Sequence, residues 1–417
     1  MAAGQAAEQG VRVLVVEKMP KAGLKLGLTG KGRCNLTNTA DLPEFVKAFG
    51  SGGRFLRPAF FRFFSSDLRD FFYRLGVETL EERGGRVFPV SENARLLADT
   101  LISWVQSKGV CIRTRSRVLS IESTQGRVQG IRVSRQGTPV CLSADRVILC
   151  TGGASYPGTG STGDGYDMCR TLGHTVNQVY PALVPLEVKE LDVVKQVQGL
   201  SLRNVQASAM AQGKLLGRAF GEMLFTHFGL SGPIVLTLSQ TVVESLKQGQ
   251  QVRLHIDLKP ALDHSTLDAR LIRDFRSQGS KQVKTILKGL LPQSLIPICL
   301  QQTGLNRAKP GSQVSAQERQ ALRLWLKDVP LTVTGHRSFA EAIVTAGGVS
   351  IREVDPRNMQ SKRLRGLHLA GEVLDIAAGT GGYNLQAAFS TGWLAGQCAG
   401  SQISQSELQG PRDPRNP

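Results

Sequence analysis

The stretch Gly366-Leu-His-Leu-Ala-Gly-Glu-Val-Leu-Asp375, followed by Gly379-Thr-Gly-Gly-Tyr-Asn-Leu-Gln386, decides how this 417-residue chain is read. Leu367, Leu369 and the small Ala370 read as a short buried strand running into Gly371-Glu372. Val373 to Ala378 cross over, and a glycine-rich turn opens a helix from about Tyr383 to Gly396. Glycines at such a turn leave backbone N–H groups unshielded by a Cβ, and the helix sets the positive end of its dipole beside them. Glu372, at the strand end, accepts hydrogen bonds from sugar or polyol hydroxyls. Ala387, Ala388, Gly392, Ala395 and Gly396 keep the helix slim enough to press on a sheet or a cofactor. The plainer reading of the segment is a strand-turn-helix with a glycine cap.

Working outward, 417 residues suffice for a large core and more than one domain. A 41% hydrophobic and 20% charged content excludes a disordered chain. No apolar run approaches the ~18–20 residues of a membrane span, and the N-terminus lacks the regions of a signal peptide. The seven cysteines are scattered without a C-x-x-C pair, which argues against a disulfide framework or a zinc site and fits a reducing cytoplasm. The charge is unusual: 51 Lys and Arg against 33 Asp and Glu, formally +18. That balance favours polyanionic partners; a basic soluble enzyme is the plainer account.

Met1 to Gln9 reads as the second half of a helix capped by Gly10. Val11-Arg-Val-Leu-Val-Val-Glu17 is a near-continuous apolar strand of the buried parallel kind. Glu17 stands where a dinucleotide fold places the acid that bonds the adenosine ribose. The first strand and G-x-G-x-x-G turn that should precede it are absent from the sequence. The loop Gly27-Leu-Thr-Gly-Lys-Gly-Arg-Cys-Asn35 is basic and suits a pyrophosphate or the polar edge of a flat ring, or is a surface loop. Cys34 has a lowered pKa if exposed beside Arg33, or is a buried inert thiol.

Phe55 to Leu75 reads as helical and packed, Gly85 to Ser91 as strand and turn, and Ser91 as the cap of a helix from Asn93 to Lys108. Strands are expected near Cys111 to Val118, Gly126 to Val133 and Arg146 to Cys150, the last leading into Thr151-Gly-Gly153. Gly158-Thr-Gly-Ser-Thr-Gly163 matches G-x-G-x-x-G, but no acid-tipped strand follows it. It reads as a cofactor-edge loop before the helix Asp164 to Leu172 more than as a nicotinamide-dinucleotide site. Leu186 to Leu258, Val-rich with glycine turns, reads as β structure. It contains Phe225-Thr-His-Phe-Gly-Leu-Ser-Gly-Pro233, where His227 is a candidate proton donor or a structural histidine. Ser265 to Asp328 reads as helical: Leu267, Leu271, Ile272 and Phe275 share a face, and Ser315-Ala-Gln-Glu318 is a capping box. Arg270, Arg273, Arg276, Lys281, Lys284 and Lys288 give it a basic side, either a solvated face or a nucleic-acid surface. Leu331 to Val333 returns as strand, and Ser404 to Pro417 reads as a polar, frayed tail.

From Met1 to about Ala399 the chain resembles the BaiN/RdsA-like family of bacterial NAD(P)/FAD-dependent flavoproteins. The resemblance rests on Gly30-Lys-Gly-Arg-Cys-Asn-Leu-Thr-Asn38, Gly85-Arg-Val-Phe-Pro-Val90, Thr151-Gly-Gly-Ala-Ser-Tyr156 and Gly160-Ser-Thr-Gly-Asp-Gly-Tyr166. It continues through Leu224 to Pro233, Thr345-Ala-Gly-Gly-Val349, Gly371-Glu-Val-Leu-Asp375 and Gly381-Gly-Tyr-Asn384. It implies an α/β, FAD-binding Rossmann-like fold of two-domain flavoprotein type with an inserted β subdomain and a helical subdomain. The expected bounds are 1–184 with 335–417 for the FAD domain, 185–262 with 329–334 for the β subdomain, and 263–328 for the helices. The cofactor positions it implies are Glu17, Lys18, Lys25, Gly30, Arg33, Cys34, Asn35, Thr151, Gly152, Gly153, Gly371, Glu372, Asp375, Gly381, Gly382, Tyr383 and Asn384. Lys31 stands where the family often has glycine. The missing glycine loop is expected to reflect a start codon assigned too far downstream; a genuine short form is expected to bind FAD poorly.

The resulting expectation is a cytoplasmic FAD enzyme that reduces a conjugated C=C bond of a steroid-like or other small molecule, with NADH or NADPH as electron donor. Cys34 and His227 are the candidates for the accompanying proton. Dihydrouridine synthesis on ribosomal RNA is the alternative, an oxidase a third, and a flavin- or RNA-binding protein without turnover the reading from another class. No membrane partner or metal is expected, and the oligomeric state is left open.

Overall fold

The computed structural model describes residues 1–135 and 137–401; the expected frayed tail lies outside them. The chain divides into two compact units, Met1–Tyr180 with the chain from Val344 onward, and Pro181–Ile343.

In the first unit, β1 (Leu14–Val16) is followed by β2 (Thr37–Asn38), β3 (Thr79–Glu82), β4 (Arg86–Pro89) and β5 (Cys111–Arg113). A three-stranded meander follows: β6 (Arg117–Thr124), β7 (Arg127–Arg135) and β8 (Thr138–Ser143). Then come β9 (Val147–Leu149) and β10 (Val176–Ala182). The second unit holds β11 (Leu186–Val188), β12 (Ser201–Ala211), β13 (Lys214–Phe225), β14 (Gly229–Ser231), β15 (Val252–Asp257) and β16 (Val329–His336). β17 (Val344–Val349) and β18 (Leu367–Leu369) return to the first unit.

Two pairs are parallel, β1 with β5 and β9 with β18, the latter in the register Leu367↔Val147 to Leu369↔Leu149. The β9–β18 pair puts its carboxyl ends where the turns at Gly152 and Gly371 follow, the usual place for ligands in open α/β sheets. Helix Tyr383–Gly400 is the spine of this unit and buries Ala387, Phe389, Leu394 and Ala395. It is slim for a reason: a Cβ on Gly396 would lie 2.3 Å from the Ala2 carbonyl oxygen of helix Ala2–Ala7. Phe45, Phe60, Phe64 and Tyr383 meet edge-on at 4.7–5.7 Å beside it. That geometry suits the ring quadrupoles.

The strands of the second unit form a closed barrel in the order β11-β14-β13-β12-β15-β16, with the helices His264–Ser277 and Ala316–Lys327 in the chain between β15 and β16. Closure leaves no unpaired edge. Gln212 and Gly213, both at positive φ, make the two-residue turn between β12 and β13 that their strand twist favours.

The structure corrects three local expectations. Within Leu186 to Leu258, Pro233–Lys247 is a 15-residue helix, opened by Pro233 at its first position after Gly232 and burying Ile234, Val235, Leu238, Val242 and Val243 on one face. The helix Ala94–Ser107 is capped by Asn93, whose side chain accepts from the Arg95 and Leu96 N–H groups, and not by Ser91. Cys111 to Val118 holds all of β5 and the start of β6, since Arg115 turns at positive φ between them. The helical, packed reading of Phe55 to Leu75 holds, in two helices, Gly53–Arg62 and Ser65–Arg74, that bury Phe55, Phe60, Phe71 and Phe72 and leave Phe61 81% and Tyr73 68% exposed.

Candidate functional site: glycine turns at the strand ends of the first unit

Glu17 ends β1. Its backbone continues the pairing by donating to the Arg113 carbonyl at 2.8 Å, and its carboxylate accepts from the Met19 N–H at 2.8 Å. Burial raises its pKa against the pull of the Met19 N–H and Lys18. Among the described residues no cation is paired to it. This is a half-buried acid with acceptor capacity to spare. Next to it, Lys18 donates to Thr162 (2.5 Å) and Asp164 (3.1 Å), which ties the end of β1 to the start of helix Asp164–Thr171.

At the end of β9, Thr151 Oγ1 is buried without a hydrogen-bond partner. Gly152 turns at φ +71°, and a Cβ there would lie 3.0 Å from Ser161 Oγ. On Gly153 a Cβ would lie 2.3 Å from Thr345 Oγ1, so no larger residue fits. The Thr345 hydroxyl accepts from the Ala154 and Ser155 N–H groups at 2.8 and 3.1 Å and so shapes the turn.

Glu372 follows β18 and is already filled. Its carboxylate accepts from Lys25 Nζ (2.5 Å), Ser155 Oγ (3.1 Å), the Gly153 N–H (3.2 Å) and the Thr345 N–H (2.8 Å). Four donors match the four lone-pair directions of a carboxylate. Lys25 also donates to Ser155 Oγ at 3.0 Å. Gly371, at φ +76°, donates its N–H to Thr391 Oγ1 on the spine helix at 3.0 Å.

Gly381 and Gly382 sit at φ +131° and +95°, and a Cβ on Gly382 would lie 2.3 Å from the Thr37 carbonyl oxygen. Asn38 Nδ2 donates to the Gly381 carbonyl at 2.9 Å, and the Asn35 side-chain amide sits 3.1 Å from the Gly382 nitrogen. Asn384 closes the loop on itself, bonding the Ala378 N–H and carbonyl at 2.9 and 2.8 Å. Tyr383 packs edge-on against Phe45 at 4.7 Å, and burial pushes its phenol up.

The structure therefore brings Lys25, Gly153 and Glu372 together, with Lys18 and Glu17 at a second strand end and Gly381 to Asn384 at the start of helix Tyr383–Gly400. Three expected residues are otherwise engaged. Arg33 lies over the Phe88 ring at 4.3 Å and pairs with Glu82 and Glu92. Asp375 accepts from Asn177 Nδ2 at 2.7 Å. Cys34 is fully buried among Leu36, Phe63, Leu68 and Trp104, and burial pushes its thiol up to about 11. The reading of Cys34 as an exposed, acidified thiol is corrected to that of a core side chain. Gly30, at φ +58°, would place a Cβ 2.8 Å from the Asn35 nitrogen. His227 is exposed in the second unit, on the turn between β13 and β14. Its ring is edge-on to Phe228 at 5.0 Å, and Phe228 is covered by Arg337 at 4.6 Å. Thr345 and Ser155 organise Glu372 and were not singled out from sequence; both lie in quoted glycine motifs, which was the available signal.

Among the described residues no helix is long and apolar enough to cross a membrane, and no group of three or more His, Cys, Asp or Glu side chains is placed to hold a metal ion.

An acid-tipped strand and glycine turns at two further strand ends, with a barrel inserted in the chain, define a Rossmann-type fold of the flavoprotein oxidoreductase class. The chain belongs to the HI0933-like family: the HI0933-like protein Rossmann domain matches residues 1–398, which bears out the family resemblance and the fold class. It is 33% identical over 389 residues to a 3-dehydro-bile acid delta(4,6)-reductase of Clostridium scindens, covering 93% of this chain and 92% of that protein. It is 31% identical over 396 residues to the ribosomal RNA dihydrouridine synthase of Escherichia coli, covering 95% and 93%. In fold it is similar to the 3-ketosteroid delta1-dehydrogenase of Sterolibacterium denitrificans, with a TM-score of 0.52, 14% identity and 96% of both chains covered.

Proposed function

We propose that the protein is an FAD-dependent oxidoreductase that reduces a conjugated C=C bond of a small, steroid-like molecule, drawing electrons from NADH or NADPH. The observation that carries the reading is Glu17: a half-buried carboxylate at a parallel strand end, held by backbone N–H groups and, among the described residues, in no salt bridge. A ribose diol supplies the donors such an acid lacks. The glycine turns at Gly152-Gly153 and Gly381-Gly382 and the unpartnered Thr151 hydroxyl fit the same group. The 33% identical bile acid reductase supports the reaction class.

FAD, when bound, supplies the hydride chemistry. The chain's part is to bind, orient and protonate. Glu17 holds the ribose end. Gly152, Gly153, Gly381 and Gly382 let their turns close tightly on Ser161, Thr345, Tyr383 and Thr37, and those turns shape the wall against which a flat ring would lie. Glu372, already saturated, takes a polyol hydroxyl by exchanging one donor, and Lys25 is the long, flexible one that gives way. His227, exposed on its turn, is the proposed proton donor, while the buried Cys34 packs.

The test begins with the purified chain. Released cofactor is identified by chromatography, and bleaching by NADH and NADPH is followed anaerobically. Reoxidation by a panel of enones is then timed in single turnover. Glu17→Gln is expected to weaken FAD at least about tenfold, the loss of one charge-assisted hydrogen bond. A protein that neither carries FAD nor takes it up overturns the reading. Substrate reduction unchanged in His227→Ala removes His227 from its role.

Dihydrouridine synthesis on ribosomal RNA is the second reading, favoured by the +18 charge and the 31% identical synthase. An RNA that reoxidises the reduced protein faster than any enone would put it first. Flavin uptake without turnover on either would leave a binding protein.

A further inference from the structure

Between Asp263 and Asp328 there are eleven Lys and Arg against five Asp and Glu. The five carboxylates are used. Asp263 caps helix His264–Ser277, Asp268 pairs with Arg319 at 3.0 Å, and Asp274 lies 3.6 Å from Arg270. Glu318 pairs with Lys309 at 2.8 Å, and Asp328 with His255 at 2.8 Å. Lys327 reaches Asp257, outside the segment, at 2.6 Å. Among the described residues Arg273, Arg276, Lys281, Lys284, Lys288 and Arg307 are left with no carboxylate partner.

The backbone gathers these cations. Segments 279–284 and 307–312 run antiparallel, with Ser312 N–H bonding the Gly279 carbonyl (3.0 Å) and Gly311 N–H bonding the Lys281 carbonyl (2.9 Å). Val283 N–H bonds the Lys309 carbonyl (2.9 Å) and Lys284 N–H that of Arg307 (3.3 Å). Arg307, more than twenty residues away in sequence, is thereby laid beside Lys284. Lys288 sits one helical turn beyond, and Arg276 enters from the last turn of its helix. Lys284 and Arg307 are thus neighbours across paired backbones, which lie about 5 Å apart, well inside a Debye length of ~8–10 Å at ordinary salt. Mutual repulsion is the standing cost of this face, and a polyanion relieves it.

The surroundings choose the polyanion. The segment's aromatic residues Phe275 and Trp325 are buried, and the large apolar side chain exposed there is Leu324. A membrane surface asks for apolar anchors beside the cations, and single-strand binding asks for stacking rings. Among the described residues of the segment no Phe, Tyr or Trp ring is exposed and Leu324 is a lone apolar side chain, which favours contacts to phosphate. We propose that this face binds the phosphate backbone of a structured nucleic acid. The proposal is independent of the redox reading, since binding is measured without turnover.

The experiment uses the full chain and fluorescence anisotropy with a labelled RNA hairpin and a DNA hairpin of the same sequence. Flotation with phosphatidylcholine–phosphatidylserine vesicles is the membrane arm. K281A/K284A/R307A is compared with K195A/R203A/R253A, which removes the same charge from exposed positions of the same unit. The first is expected to bind at least about tenfold more weakly and to lower the salt slope by about 2–3, with the second within about twofold of wild type. RNA preferred over DNA, or both alike, names the source within the proposal. Equal losses in the two variants reduce the effect to net charge and overturn it. So does no loss in either, or vesicle binding that depends on the patch where hairpin binding does not. Flavin content is expected to be unchanged throughout, so failure here is distinct from failure of the cofactor reading.

Discussion

His368, in the middle of β18, makes the first unit acid-labile in a way that can be isolated. Burial holds its pKa down at about 4, although its Nδ1 bonds the Asn358 carbonyl at 3.0 Å. In the unfolded chain an imidazole titrates near ~6.5. The unfolded state therefore binds the proton more readily, and stability falls as pH drops below that value, levelling off below the folded pKa. From pH 7.5 to 5.0 the unfolded side gains about 1.5 pH units of protonation that the folded side lacks, worth roughly 2 kcal/mol at 1.36 kcal/mol per unit. His368→Asn keeps a donor where Nδ1 stands and removes the titration. The assay is urea unfolding at pH 7.5, 6.0 and 5.0 in a Trp325→Phe background, where Trp104 and Trp393 report on the unit that holds His368. Carboxylates and the buried His174 titrate alike in both proteins and cancel. The wild type is expected to lose about 2 kcal/mol more than the variant over that range. Parallel losses would refute the argument, because His368 would then be protonated as easily inside as out.

Three further outcomes are expected. Gly396→Ala forces a Cβ against the Ala2 carbonyl and is expected to cost about 1–3 kcal/mol by urea unfolding; a neutral change would mean the two helices slide apart freely. Ser315→Ala removes the hydroxyl that accepts from the Glu318 N–H at 3.2 Å, and is expected to cost about 1 kcal/mol and raise amide exchange in the first turn of Ala316–Lys327. Lys31 holds a left-handed backbone at φ 57°, so Lys31→Gly is expected to be neutral or stabilising by up to about 1 kcal/mol and Lys31→Val destabilising; the reverse order would show that the lysine side chain anchors the loop.

The parts legible from sequence were those whose cause is local. The glycines around Gly371 and Gly382 and the box Ser315-Ala-Gln-Glu318 act within a few residues and sit where their patterns say. Of the expected buried strand Val11 to Glu17, by contrast, only Leu14–Val16 is strand, and Val11 and Leu14 are exposed. Pro233–Lys247 was misread because its β-branched residues outweighed the spacing of Ile234, Leu238 and Val242 on one helical face. The partners of Arg33, Glu82 and Glu92, lie 49 and 59 positions away, and Lys25 meets Glu372 across 347. No local rule pairs such residues, so the filled state of Glu372 and the diversion of Arg33 from the cofactor loop belong to tertiary structure alone. Burial settled Cys34 in the same way: a thiol beside an arginine in sequence is, in space, among phenylalanines.

The barrel has one more consequence. β15 and β16 are neighbours in it, with Ile256 opposite Val329, so the chain leaves for the helical segment and comes back at adjacent points of one antiparallel pair. A segment hung this way resembles an oversized hairpin loop. Its roughly seventy residues can lengthen, shrink or be exchanged over evolutionary time while the wall of strands keeps its register, as loop closure costs grow only slowly with length. The cationic face rides on that loop and the glycine turns do not. The proposed binding of a nucleic acid and the proposed chemistry on a small substrate would thus be open to separate alteration, in nature or at the bench, within a single gene.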